Sequence, residues 1–171
     1  MIGDDARARA DWPYLRWGGP TLFRRRDLFE AARAALETLD YRIVAVDAAS
    51  VEAVTVALSR ELDWSGQFGY SPWTGNLDAL DEGVAGAPFP DSACLAFCFD
   101  GFERVAAEDA AFARGLLDVF TGQARGHLVE GRRMLVLVRT DDPDFHADGL
   151  GAAAAMWNAA EFFRASRRGD G

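Results

Sequence analysis

Residues 93–99 read Ala93-Cys94-Leu95-Ala96-Phe97-Cys98-Phe99, a run of apolar residues without a polar interruption. A half-exposed strand alternates apolar and polar residues, whereas a strand covered on both faces of a parallel sheet is apolar throughout. The run therefore predicts a buried central strand. Cys94 and Cys98 lie too far apart along a strand for an unstrained disulfide, so we expect reduced, buried thiols.

Two further apolar runs, at residues 41–46 and 134–138, lie on either side of this strand in the sequence. Between the three runs, apolar residues recur at helical spacing over residues 51–62, 76–84 and 109–125. Strands that alternate with helices pair in parallel through right-handed crossovers. The sequence thus predicts an α/β fold with a small three-stranded parallel sheet flanked by helices.

Additional helices are expected outside this unit. Residues 22–39 place apolar positions opposite a charged face, which predicts an amphipathic helix, and residues 150–166 are rich in alanine and aromatic residues, which favours another. We therefore divide the chain into an N-terminal extension with a helix (1–40), a central domain (41–140) and a C-terminal helical extension (141–171).

The acidic residues are concentrated in one part of the chain. The formal net charge is −9, and residues 61–109 hold ten acids and one arginine, while the rest of the chain is neutral overall. Direct binders of nucleic acid need cations to displace counterions from phosphates, so this balance argues against nucleic acid as the ligand. An acidic block favours either a solvating surface or a partner of opposite charge.

Several classes of function are disfavoured. No apolar run reaches the roughly 20 residues that span a bilayer, and the acidic N-terminus is unlike a signal peptide, so we expect a cytoplasmic protein without membrane contact. We interpret His127 and His146 as surface residues, and the chain has no lysine for a phosphate-binding loop. The acidic residues 141–148 suit a solvated turn better than a cation site. The sequence predicts a binding protein, not an enzyme, without cofactor or metal.

The stretch best suited to binding is Trp73-Thr74-Gly75-Asn76-Leu77-Asp78-Ala79-Leu80-Asp81-Glu82. Asn76 is placed to cap a short helix, because its side chain can accept a hydrogen bond from the first turn. Asp78, Asp81 and Glu82 would then share one helical face, opposite an apolar face. Like charges at this spacing disfavour an isolated helix, so the pattern indicates either a tolerated cost or a binding role.

This stretch resembles the signature of the barstar family: an aromatic residue, a glycine, Asn-Leu-Asp-Ala-Leu and a following acid. The order of strands and helices over about residues 41–140 is also similar. The resemblance implies an inhibitor of antitoxin or immunity type, which blocks the basic active site of a ribonuclease with an acidic helix. It implies that Asp78 and Glu82 are the principal inhibitory carboxylates; Asp81 stands where the type member has tryptophan. The residues predicted to bind the partner are Trp73, Gly75, Asn76, Asp78, Asp81 and Glu82.

Two other interpretations stay open. A barstar-like scaffold could instead bind something else or form a homodimer through exposed aromatic residues in the terminal extensions, namely Trp12, Trp17, Trp157 and Phe163. A small hydrolase based on paired carboxylates is less favoured, because so small a sheet leaves little room for a substrate cleft.

Overall fold

The computed structural model describes residues 9–151 and 153–168. Its elements follow one another as an alternation of helices and strands. They are α1 (Trp12–Trp17), β1 (Thr21–Phe23), α2 (Arg26–Glu37), β2 (Arg42–Asp47), α3 (Val51–Glu61), α4 (Trp64–Phe68), α5 (Leu77–Ala85), β3 (Cys94–Asp100), α6 (Phe102–Glu108), α7 (Ala110–Val129), β4 (Arg133–Arg139), β5 (Met156–Trp157), a 3-10 helix (Ala159–Glu161) and α8 (Arg164–Arg168).

The strands form one sheet in the order β2-β3-β4-β1-β5, and every neighbouring pair is parallel. The predicted α/β class with a parallel sheet flanked by helices is confirmed. The predicted number of three strands is wrong, because the sheet has five. The additional strands, β1 and β5, come from the residues before 41 and after 140; β1 pairs with β4, and β5 pairs with β1.

Both additional strands lie in segments that the sequence predicts as helix. The helix expected over residues 22–39 begins at Arg26, because Thr21–Phe23 is a fully buried strand paired with β4. The helix expected over residues 150–166 is replaced by β5, a 3-10 turn and the short α8. Pairing within the sheet overrides local helix propensity here, and strands of three and two residues are too short to show alternation.

The two faces of the sheet carry different layers. Helices α3 to α7 pack on one face, around Leu95, Phe97 and Phe99, and we call this the α5 face. Helix α2 packs on the other face, against Cys98 and Leu137, and we call this the α2 face. The connection from β1 to β2 crosses the sheet in one direction, and the connections from β2 to β3 and from β3 to β4 cross it in the other direction. Right-handed crossovers therefore place it on the opposite face.

The predicted fate of the cysteines is confirmed. Cys94 and Cys98 are unpaired and buried on the α2 face of β3. Burial raises the pKa of the Cys98 thiol to about 12. Within residues 9–151 and 153–168, no helix is both long and apolar enough to cross a bilayer.

Candidate partner-binding site

The helix predicted over residues 76–84 is observed as α5, and Asn76 caps it as expected. The Oδ1 atom of Asn76 accepts hydrogen bonds from the backbone N–H groups of Asp78 and Ala79, at 2.9 and 3.2 Å. The Nε1–H group of Trp73 donates to the carbonyl oxygen of Asn76 at 2.8 Å. Gly75 lies between them with φ +90°, a conformation that strains any residue with a side chain. These contacts set the residue at which α5 begins.

Trp73 itself lies beneath the surface. Its side chain is fully buried and its ring stacks on Phe112, with ring centroids 5.9 Å apart. Its backbone N–H donates to the Oγ atom of Ser59 at 2.7 Å. Trp73 therefore supports the loop before α5 from below. The aromatic residue of this loop that reaches solvent is Tyr70, 49% exposed and packed edge-on against Trp64; no signal in the sequence distinguishes Tyr70 from its aromatic neighbours.

The apolar side of α5 is fixed by two close helix contacts. A Cβ atom on Gly83 would lie 2.4 Å from Cζ3 of the buried Trp64, so α5 approaches α4 more closely than a larger residue allows. Leu77 lies over Gly115 of α7, where an added Cβ atom would be 2.2 Å from Cδ1 of Leu77. Both contacts orient the helix so that its acidic side points away from the sheet.

The acidic side of α5 carries three exposed carboxylates. Asp81 accepts a hydrogen bond from the Nε2 atom of Gln123 at 2.8 Å, whereas Asp78 and Glu82 have no side-chain hydrogen bond or ion pair with any residue that the structure describes. Asp78 and Glu82 are one helical turn apart, and their repulsion costs the helix a few tenths of a kcal/mol. Asp78 offsets part of this cost because it lies in the first turn, near the positive end of the helix dipole.

Several other acids of residues 61–109 have partners inside the fold. Asp100 binds Arg139 and Arg26; burial raises its pKa, but these two hydrogen bonds outweigh that effect and lower the pKa below its ordinary value. Asp109 caps α7, and Glu108 accepts the backbone N–H at the start of α3. The acidic block therefore includes acids that stabilise the domain as well as the three exposed acids of α5.

His127 also contributes to the site, and its prediction as a surface residue is wrong. Helix α7 continues through Gly126, so His127 falls in its last turn and is only 2% exposed. The Nε2 atom lies 2.9 Å from the carbonyl oxygen of Val84 in α5, and Nδ1 accepts from Arg132, which assigns the proton to Nε2. Burial is the main reason that the pKa of His127 is lowered. Neutral His127 thus ties the end of α5 to α7.

The terminal aromatic residues that the sequence suggested for a homodimer differ in exposure. Trp17 and Phe163 are 49% and 75% exposed, whereas Trp12 and Trp157 are partly buried.

In the acidic loop after β4, Asp144 binds Arg164 and Arg168, and their hydrogen bonds lower its pKa to about 2. This loop therefore holds α8 against the domain.

Comparison with known proteins found no family model that matches the chain and no significant match among curated proteins. The function is therefore inferred from the geometry of α5 and its surroundings.

Proposed function

We propose that the chain is a barstar-like inhibitor that binds a basic ribonuclease with the acidic side of α5. The observation that carries the proposal is the pair Asp78 and Glu82, exposed one turn apart and without partners among the described residues. In the complex these carboxylates, with Asp81 beside them, would occupy the positions of RNA phosphates in the cationic cleft of the enzyme. The inhibitor itself performs no catalysis.

Electrostatics favour this mode of binding. A net charge of −9 attracts a cationic protein and accelerates its encounter with the acidic surface. Burial of a carboxylate stabilises a complex only if a cation and hydrogen bonds match it, so the partner must supply arginine, lysine or protonated histidine opposite each acid. Selectivity for a basic active site follows from that requirement.

The rigidity of α5 also supports the proposal. The cap by Asn76 holds the start of the helix, and the close contact at Gly83 and the hydrogen bond between His127 and Val84 hold its last turn. A preorganised surface loses little conformational entropy on binding, so more of the interaction energy appears as affinity.

The arrangement of the sheet is compatible with the barstar resemblance. Strands β2, β3 and β4 are adjacent and parallel, and their connecting helices lie on the α5 face, as the resemblance implies for a three-stranded unit. The additional strands join beyond β4, and α2 packs on the opposite face. The acidic side of α5 is therefore left exposed within the part of the chain that the structure describes.

Titration of small cationic ribonucleases, with barnase among them, tests the proposal. We expect stoichiometric inhibition by the native chain, and a loss of about a hundredfold in affinity for Asp78→Asn or Glu82→Gln, because each leaves a buried cation of the enzyme unmatched. Glu37→Gln is the matched control, since Glu37 is an exposed acid at the end of α2, on the opposite face. Absence of inhibition, or full inhibition by both α5 variants, rejects the proposal.

A further inference from the structure

An open groove lies on the α2 face, on the opposite side of the sheet from α5. Its floor is formed by Thr21 and Phe23 of β1 and Met156 of β5, and its walls by α1 and α2. The cavity measures about 710 Å³, which falls within the range of about 300–1,000 Å³ typical of small-molecule sites.

The fold explains why this space exists. Helix α2 starts over β1, where Phe29 packs edge-on against Phe23, and then runs back across the sheet towards β2. The groove is the space that remains between α1, α2 and the outer strand β5. It is therefore a consequence of the strand order.

Aromatic side chains dominate the lining. They are Tyr14, Trp17, Phe23, Trp157, Phe162 and Phe163. Trp17, Phe162 and Phe163 remain between 49% and 75% exposed. Aromatic pairs gain free energy beyond the burial of their area, so such a lining favours an aromatic ligand.

Among the residues that the structure describes, Arg16 is the only charged one that lines the groove. Its guanidinium lies 4.8 Å from the ring centroid of Trp17, and it has no hydrogen bond and no carboxylate within 4.0 Å in residues 9–151 and 153–168. Each of the other arginines in those ranges donates at least one hydrogen bond. Within the described part of the chain, Arg16 is thus a cation without a carboxylate partner at an apolar site, and the chain as a whole has a large excess of acids.

We infer that the groove binds a small aromatic carboxylate, with the ring system among the aromatic side chains and the carboxylate on Arg16. A guanidinium binds a carboxylate through paired, charge-assisted hydrogen bonds. The hydroxyl groups of Tyr14 and Thr21, without hydrogen-bond partners among the described residues, can orient the ligand further. A second copy of the chain fits less well, because a symmetric interface pairs the patch with itself and the described lining residues include no acid to receive Arg16.

Isothermal titration calorimetry with 1-naphthaleneacetate and the neutral 2-(1-naphthyl)ethanol tests the inference. We expect one carboxylate per chain, bound at least tenfold more tightly than the alcohol, and Arg16→Gln should abolish that difference. Ala31→Trp adds a large side chain to the wall of the groove and should weaken both ligands at least tenfold. Ala34→Trp on an exposed side of α2 and Arg60→Gln on α3 are controls that should change neither affinity.

Several binding results would overturn the inference. The first is that neither ligand binds at millimolar concentration, and the second is that 1-naphthaleneacetate and the alcohol bind with equal affinity. The others are that Ala31→Trp and Ala34→Trp lose equal affinity for the ligands, and that dodecanoate binds more tightly than 1-naphthaleneacetate. A dimer in light scattering that Ala31→Trp dissociates would identify a second copy as the occupant instead, and would also overturn it. Ribonuclease inhibition by Arg16→Gln should match the native chain, so the two proposals fail separately.

Discussion

The substitution Gly83→Ala tests whether α5 is held by its close approach to Trp64. The added methyl group would lie 2.4 Å from Cζ3 and 3.2 Å from Cε3 and Cη2 of a fully buried, rigid ring. Glycine to alanine in a helix normally stabilises by about 0.5–1 kcal/mol, but forcing a methyl group into a packed core costs about 1–3 kcal/mol. The cost of the added methyl group in the core exceeds the gain in helix propensity, so we expect the free energy of unfolding to fall by about 1–2 kcal/mol. For a domain of this size, each kcal/mol lowers Tm by about 2–4 °C.

Urea unfolding measures this effect against two internal controls. Gly122 in α7 is exposed, and an added Cβ atom there meets nothing within 4 Å, so Gly122→Ala should raise stability by about 0.5–1 kcal/mol. The methyl group added by Gly115→Ala meets only the tip of the flexible Leu77 side chain. The change in the free energy of unfolding should therefore lie between those of Gly83→Ala and Gly122→Ala. If Gly83→Ala proves as stable as Gly122→Ala, the close contact does not hold α5, and the argument for a preorganised helix loses its main support.

Three further predictions concern stability and reactivity. Burial lowers the pKa of His127 in the folded state, so the unfolded chain binds the proton more tightly. The free energy of unfolding should therefore decrease as the pH falls from about 6.5 towards the folded pKa, by at most about 1.4 kcal/mol per pH unit. In urea unfolding over the same pH range, His127→Gln should lack this part of the pH dependence. Glu161 is 1% exposed and accepts hydrogen bonds from the backbone N–H groups of Arg24 and Arg25. Glu161→Ala should therefore lower the free energy of unfolding by about 2–4 kcal/mol in urea titrations. A change below about 0.5 kcal/mol would show that these two hydrogen bonds do not anchor the 3-10 helix to the start of α2. Burial raises the pKa values of both cysteine thiols. Ellman's reagent should therefore label Cys94 and Cys98 slowly in the native protein and completely in denaturant. Rapid labelling of the native protein would show that α2 does not cover this face of β3.

The long, strongly patterned elements were predictable from sequence, whereas the short ones were not. The apolar runs at β2, β3 and β4 and the helical periodicity of α3 and α7 carry enough residues for their periods to be read. Strands β1 and β5 have three and two residues, and their pairing depends on contacts with β4 and with each other across the chain. No local signal contains that information.

The same limit applies to the candidate site. The cap by Asn76 and the shared face of the acids follow from spacing within one turn, and both could be predicted. His127 could not, because its burial requires α7 to continue past Gly126 and to meet Val84, which is a tertiary contact. The sequence predicts Trp73 as a partner-binding residue of the loop before α5, whereas its burial under that loop depends on Ser59 and Phe112 from other elements, which no local pattern indicates.

The position of β1 inside the sheet, between β4 and β5, has a consequence for synthesis. Thr21 leaves the ribosome early, yet its partner Leu137 is made only after α7 and most of β4. The residues of β1 therefore remain unpaired in the nascent chain, while strands made after β1 can already pair with one another. We expect the sheet to close late in translation, with slow pairing of distant segments as its final step.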